Sequence, residues 1–198
     1  MSVADDGGSS GRLIEGMRIP APGDIRRCLL ALTPEPTLVS ELFAYRFTSG
    51  DVENHSLGNL MLVALTDLFG DFESAVQAAG RILGAVGEVI PATTQPVGMR
   101  AIVDGLPVVG QSKITKTRGL IESVSLDPPD VSPNLRALEA VASADQIVIG
   151  PGSLFTSVIA TLLVPDLAEV VMASKARRVF VCNLITQDGE TWSLDGPG

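Results

Sequence analysis

The amino-acid sequence predicts an α/β protein whose strands are mostly parallel and carry helices on both faces of the sheet. Three observations point there. The first half places apolar residues at helical spacing, whereas from Gly87 onward short Val- and Ile-rich runs alternate with Gly, Pro and Asp. Near the end, QIVIGPGSLFTSVI reads as strand, glycine-bearing turn and helix start, and RVFVC follows as another apolar strand; strands separated by helices favour parallel pairing. Aromatic residues make up only 4% of the chain, so the core must come from Leu, Val, Ile and Ala, which suits this class better than an aromatic-rich sandwich.

At 198 residues the chain can bury a substantial core and reads as a single domain over 1–198. Pro22 and Asp24 open a first helix through Ile25, Cys28, Leu29 and Leu32, which Pro34 stops. Leu38, Leu42, Tyr45 and Arg46 continue in a second. Ser56 to Leu68 is a third, so rich in Leu, Met and Val that it is expected to be largely buried. Asp71 N-caps a fourth, which runs through Ile82 and closes at Gly84. EVIPAT, VGMRAIVDG and LPVVGQSKI then read as strands of a small β-rich lobe spanning 87–126, with Asp104-Gly105 as its hairpin turn. ESVSLDPPD adds a strand that ends at its prolines. A helix over 134–142 follows, capped by Ser132 with Pro133 in its first turn. Gln146 to Ile149 is a strand, Gly150 to Gly152 a sharp turn, and Ser153 the start of a helix.

The formal charge of −9 disfavours phosphate backbones, so no nucleic-acid partner is expected. A phosphorylated small molecule remains compatible, because oriented backbone N–H groups outweigh net charge at short range. No run of apolar residues reaches membrane-spanning length, and Asp5 and Asp6 do not fit a signal peptide, so no membrane association is expected and the cytoplasm is the expected location. Cys28 and Cys182 lie in apolar stretches and read as buried thiols rather than a disulfide. There is no Gly-Lys-Ser/Thr phosphate loop and no G-x-G-x-x-G. G-P-G-S-L is not a nucleophile elbow, and no histidine follows it to complete a triad.

Candidate functional residues cluster at turns. VADDGGSSGRL, residues 3–13, pairs two carboxylates with a Gly/Ser run; it is either a ligand-wrapping loop or a flexible start. Gly150 to Ser153 places orphan N–H groups where an anion would sit, or Ser153 is simply an N-cap. His55, the sole histidine, is a crevice residue or a helix-start residue. Ligands in parallel sheets sit beyond the carboxyl ends of strands. Asp5, Gly152 and Asn183 all fall at such ends.

ADDGGSSGRL, PGDIRRCLLAL, HSLGNLMLVAL, GPGSLFTSVI and NLITQDGET, in this order, resemble the YvcK family of gluconeogenesis factors. The wider group includes CofD, the 2-phospho-L-lactate transferase of coenzyme F420 biosynthesis. The resemblance spans essentially the whole chain and implies a three-layer, Rossmann-like, mostly parallel sheet. It further implies that the chain starts within the second strand and lacks the first β-α-β unit, and that relatives continue past QDGET. Loss of an inner strand would expose ladder groups and apolar surface.

The resemblance implies a UDP-sugar-binding regulatory factor, with UDP-N-acetylglucosamine foremost, needed for cell morphogenesis and cell-wall homeostasis under gluconeogenic growth. Asp5, Asp6, Gly7, Gly8, Ser9 and Ser10 would line the ligand. His55 and Asn59 would face the same crevice from adjacent helical turns, and Gly152, Ser153 and Thr156, with Asn183, would form a second cradle. Asn54 stands where the family usually has glycine, which narrows backbone freedom before His55. Ala160-Thr161 replaces the family's Pro-Asn. No cofactor is required, and Mg²⁺ would enter only through ligand phosphates. A homodimer through the apolar 56–65 helix is open, and protein partners are unspecified. The alternative is the CofD-like transferase, but the residues after the paired aspartates depart from it. A ligand-binding, non-enzymatic role is therefore the reading carried forward, with binding expected once the first β-α-β unit is present and weak or no binding expected from these 198 residues alone.

Overall fold

The structure, a computed structural model, describes Ala4, Asp6 and residues 19–191. Its chain divides into two compact units, one ending at Pro96 and the other beginning at Val97.

The first unit is helical. Pro22 sits in the first turn of α1 (Pro22–Ala31) with Asp24 beside it, where fixed φ and negative charge both favour a helix start. The buried face of α1 is Pro22, Ile25, Arg26 and Leu29, an i, i+3/i+4, i+7 stripe that contains one charge. α2 (Leu38–Ala44) begins with a reciprocal capping box: Ser40 N–H donates to Thr37 Oγ1 at 3.1 Å and Thr37 N–H to Ser40 Oγ at 2.8 Å. The expected continuation through Arg46 does not occur. Tyr45 ends the helix, and Arg46 instead forms an antiparallel bridge with Ser56, closing the 47–55 loop.

α3 (Leu57–Phe69) starts at Ser56, whose side chain accepts from Asn59 N–H, and ends at Gly70 in the left-handed region. It is not largely buried as expected. Only Gly58, Asn59, Leu62 and Val63 face inward, while Leu68 and Phe69 are exposed at the last turn. α4 (Phe72–Leu83) runs between Asp71 and Gly84, as the sequence predicts. Ile25, Leu29, Phe43, Leu62, Val76 and Ala79 are fully buried and form the centre of this unit.

Asp71 Oδ1 accepts from Ser74 N–H at 2.8 Å, and that backbone bond holds its carboxyl below the ordinary value of 3.8. A depressed carboxyl stabilises the fold above its unfolded pKa and loses that contribution as pH falls through the folded value. Asp71→Ala is expected to cost about 1 kcal/mol at neutral pH. The gap between variant and parent in urea unfolding should shrink on going to about pH 3. A gap independent of pH would show that the charge of Asp71 plays no part.

In the second unit, β1 (Gly98–Val103), β2 (Leu106–Val109) and β3 (Ile121–Asp127) form an antiparallel sheet in the order β2-β1-β3. Asp104 and Gly105 both have positive φ, the pair that a tight hairpin with right-handed strand twist demands. Met99, Ala101 and Val103 alternate inward along β1. Two strand expectations fail. EVIPAT forms no strand, and LPVVGQSKI leaves the sheet at Val109 because Gly110, at φ +101°, turns the chain into the short helix α5 (Gln111–Ile114). α6 (Leu135–Ala142) is capped by Asn134, whose Oδ1 accepts from Arg136 N–H, not by Ser132.

β4 (Gln146–Ile149) pairs in parallel with β5 (Arg177–Phe180), Val148 opposite Val179; Val181, one residue past β5, still donates its N–H to Ile149 O. The crossover between them holds a π-helical turn over Leu154–Ile159, then α7 (Ala160–Leu162) and α8 (Leu167–Ala173). Among the described residues this pair is the parallel part of the α/β fold, alongside the antiparallel three-stranded sheet. Val148, Phe180, Val181, Leu184 and Ile185 are exposed around it. Cys182 is exposed too, against the expectation of a buried thiol, because β5 ends two residues earlier; Cys28 is half-buried, and burial together with Asp24 raises its pKa. No single helix among the described residues is long and apolar enough to cross a membrane.

Candidate functional site

Asp5, Gly7, Gly8, Ser9 and Ser10 lie outside the described residues; Asp6 is half-buried. The remaining candidates fall at two places, one in each unit.

In the second unit they gather beyond the carboxyl ends of β4 and β5. Gly150, at φ +82°, makes the turn after β4; a Cβ there would lie 2.8 Å from Val181 O, so the turn lies against the end of β5. Asn183 Nδ2 donates to Gly152 O at 2.8 Å and to Gln187 Oε1 at 3.3 Å, tying the two strand ends together. Ser153 precedes the π turn but its side chain does not cap it. Its carbonyl accepts from both Ser157 and Val158 N–H, and the second of these is the i+5 bond that widens the helix.

The anion expected at this helix start is present, and the chain supplies it. Glu190 Oε2 accepts from Phe155 N–H at 3.1 Å and from Thr156 N–H at 3.4 Å, while Thr156 Oγ1 donates to Glu190 Oε1. Glu190 and Thr156 are each 3% exposed. Thr156, read as a ligand donor, thus faces an internal carboxylate. The Ser153 side chain, by contrast, makes no capping bond to the turn. Glu190 was missed in the sequence, since only its place in the DGET run within NLITQDGET marked it.

In the first unit, His55 and Asn59 do not sit one helical turn apart on a single face. His55 precedes the Ser56 cap and belongs to the 47–55 loop, where its carbonyl accepts from Phe47 N–H. Asn54, just before it, has φ +65°, the left-handed conformation that explains a glycine there and that asparagine tolerates better than most residues. Asn59 lies inside the first turn of α3, 3% exposed, with Oδ1 accepting from Arg26 Nε at 3.1 Å. Arg26 Nη1 donates to Phe43 O at 3.4 Å. Arg26 was also missed. The signal was available, because it falls on the buried i, i+3/i+4 stripe of α1.

Residues 1–196 match the family model described as 2-phospho-L-lactate transferase CofD. The chain belongs to the CofD family. Within it, the chain is 45% identical over 193 residues to the gluconeogenesis factor of Bacillus subtilis (strain 168), covering 96% of this chain and 61% of that protein. It is 46% identical over 193 residues to the gluconeogenesis factor of Listeria monocytogenes, with 96% and 60% covered. A crystal structure of a UPF0052 family member from Bacillus halodurans superposes with a TM-score of 0.92 at 45% identity, covering 96% of this chain and 62% of that one. These likenesses place the CofD-family chain on the gluconeogenesis-factor (YvcK) side. It spans about three fifths of the length of these relatives.

Proposed function

We propose that this CofD-family chain is the nucleotide-sugar-binding part of a gluconeogenesis factor. It binds a UDP-sugar, UDP-N-acetylglucosamine foremost, without turning it over. It acts in the cytoplasm as a regulator of cell morphogenesis and cell-wall homeostasis during gluconeogenic growth.

The observation that carries the reading is the turn from Gly150 to Thr156. Backbone amides and a hydroxyl there bind a carboxylate beyond the ends of two parallel strands, so this turn is built for anions. The adjacent Ser153 hydroxyl is open to a ligand. The names of the relatives supply the biological setting.

Saturation-transfer NMR tests the reading, because it detects binding as weak as millimolar. Transfer to the uracil and sugar protons of UDP-N-acetylglucosamine is expected, with the ligand unchanged after incubation. Ser153→Ala should weaken binding roughly 5- to 150-fold, about 1–3 kcal/mol for one donor. No transfer at millimolar ligand discards the UDP-sugar; equal affinities discard Ser153. The description of the matching family favours a second reading, phospholactate transfer. A phosphorylated product from a guanosine-activated phospholactate and a deazaflavin acceptor with Mg²⁺ would establish it.

A further inference from the structure

Arg26 is 9% exposed, yet neither of its hydrogen-bond acceptors carries a charge: one is the Asn59 amide oxygen and the other a main-chain carbonyl. Arg27, Arg100 and Arg118, by contrast, are each paired with an aspartate. A guanidinium stays protonated in proteins and offers five N–H donors, of which that of Arg26 directs two at acceptors among the described residues. Buried charges are ordinarily paired.

The surroundings add to the imbalance. Burial first, and then the like charges of Arg46 and Arg27, lower the pKa of Arg26. The side chain also crosses the start of α3, a helix of 13 residues, whose terminal N–H groups present further positive potential. That crossing is built into the packing. A Cβ on Gly58 would lie 2.8 Å from Arg26 Cδ and 2.5 Å from Phe43 O, so only glycine lets the side chain pass. Asn59 then holds the guanidinium by Nε without neutralising it, where an aspartate of the same shape would have paired with it. At the π-helical turn the chain supplies its own anion, Glu190. At Arg26 it supplies none among the described residues.

We propose that Arg26, held by Asn59 at the first turn of α3, is an oxyanion-binding residue that receives a phosphoryl oxygen of a phosphorylated ligand. Resting on the function proposed above, that oxygen belongs to the diphosphate of the nucleotide sugar. A plainer role exists for the same side chain: it satisfies the Phe43 carbonyl at the end of α2. The two roles separate in one variant. Asn59→Asp keeps the acceptor for Arg26 Nε and gives the cation an internal partner, at the loss of the side-chain amide donor. Anion binding rather than stability therefore separates the roles: a structural arginine leaves pyrophosphate affinity unchanged, and an anion-binding arginine loses its ligand.

The test titrates inorganic pyrophosphate, by ³¹P NMR, and UDP-N-acetylglucosamine, by saturation transfer, into the parent chain, Arg26→Gln and Asn59→Asp. The parent is expected to bind pyrophosphate. Both variants should bind it at least tenfold more weakly, with Asn59→Asp still folded by circular dichroism. If Arg26→Gln does not fold, Asn59→Asp alone decides. Undiminished binding of either probe by Asn59→Asp overturns the inference, and if the parent still binds the sugar nucleotide the functional reading stands without it. Pyrophosphate binding that needs an unneutralised Arg26, with no binding of UDP-N-acetylglucosamine, leaves the inference and removes the functional reading. A parent that binds neither probe overturns both.

Discussion

Gly58→Ala is expected to destabilise the helical unit by about 3 kcal/mol, although alanine is the better helix former. The added methyl would sit 2.5 Å from Phe43 O and 2.8 Å from both Phe43 Cδ1 and Arg26 Cδ, well inside van der Waals contact. None of these neighbours is free to give way. Phe43 is fully buried, its carbonyl is main chain at the end of α2, and Arg26 is tied to Asn59. Relief therefore requires α3 to move from α1 and α2, opening gaps around Leu62 and breaking both Arg26 hydrogen bonds. Overpacking of this kind costs about 1–3 kcal/mol, and two lost hydrogen bonds add about 1 kcal/mol each, against a gain of about 1 kcal/mol in helix propensity. Gly80→Ala is the internal control. It lies within α4, where a Cβ would meet only Leu29 Cδ2 at an ordinary 3.5 Å, so propensity should prevail and stability rise by up to about 1 kcal/mol. Urea unfolding followed by circular dichroism at 222 nm reads both. Equal stabilisation by the two alanines would show that α3 does not approach Phe43 so closely.

The contrast between these glycines also explains what the sequence could and could not reveal. Features set by neighbouring residues were legible: the Asp71 cap and Gly84 stop of α4, the Asp104-Gly105 hairpin, and the strands of β4 and β5 all follow from local rules. Features set across the chain were not. Arg46 leaves the helical path because Ser56, ten residues on, offers a bridge. Ser153 looked like a cap, but the helix start is satisfied by Glu190, and no local pattern announces a partner 35 residues from Phe155. Ser56 to Leu68 looked largely buried, since composition alone does not say that α3 exposes Leu68 and Phe69 at its last turn. Arg26 is the instructive case. Its position on the buried stripe was readable, while its want of an acidic partner among the described residues was a fact of three dimensions.

Glu190 carries the other large effect. Glu190→Ala is expected to cost about 3 kcal/mol and Glu190→Gln about half of that, because hydrogen bonds to a charged group contribute about 1.5–3 kcal/mol and a buried donor left without an acceptor costs about 1–3 kcal/mol. Alanine removes the acceptor from three donors at once: Phe155 N–H, Thr156 N–H and the Thr156 hydroxyl. Glutamine keeps one oxygen for the two amides, and its own N–H₂ can donate to Thr156 Oγ1 in place of accepting from it. The main chain shows how closely Glu190 is delivered to this place. Gly189 has φ +78°, and a Cβ there would lie 2.2 Å from Thr115 O, so no other residue type fits before Glu190. Gln187 N–H donates to Thr191 Oγ1 and Asn183 Nδ2 to Gln187, closing the segment on either side. Because the vacated cradle keeps its donors, added phosphate or sulfate should restore part of the stability of Glu190→Ala while shifting the parent less. Thermal melts of parent, Gln and Ala forms across a phosphate series read the order and the rescue together. An alanine form as stable as the parent, or one that ignores phosphate, would mean that these donors are satisfied by water and that the turn from Gly150 to Thr156 is not built around an anion.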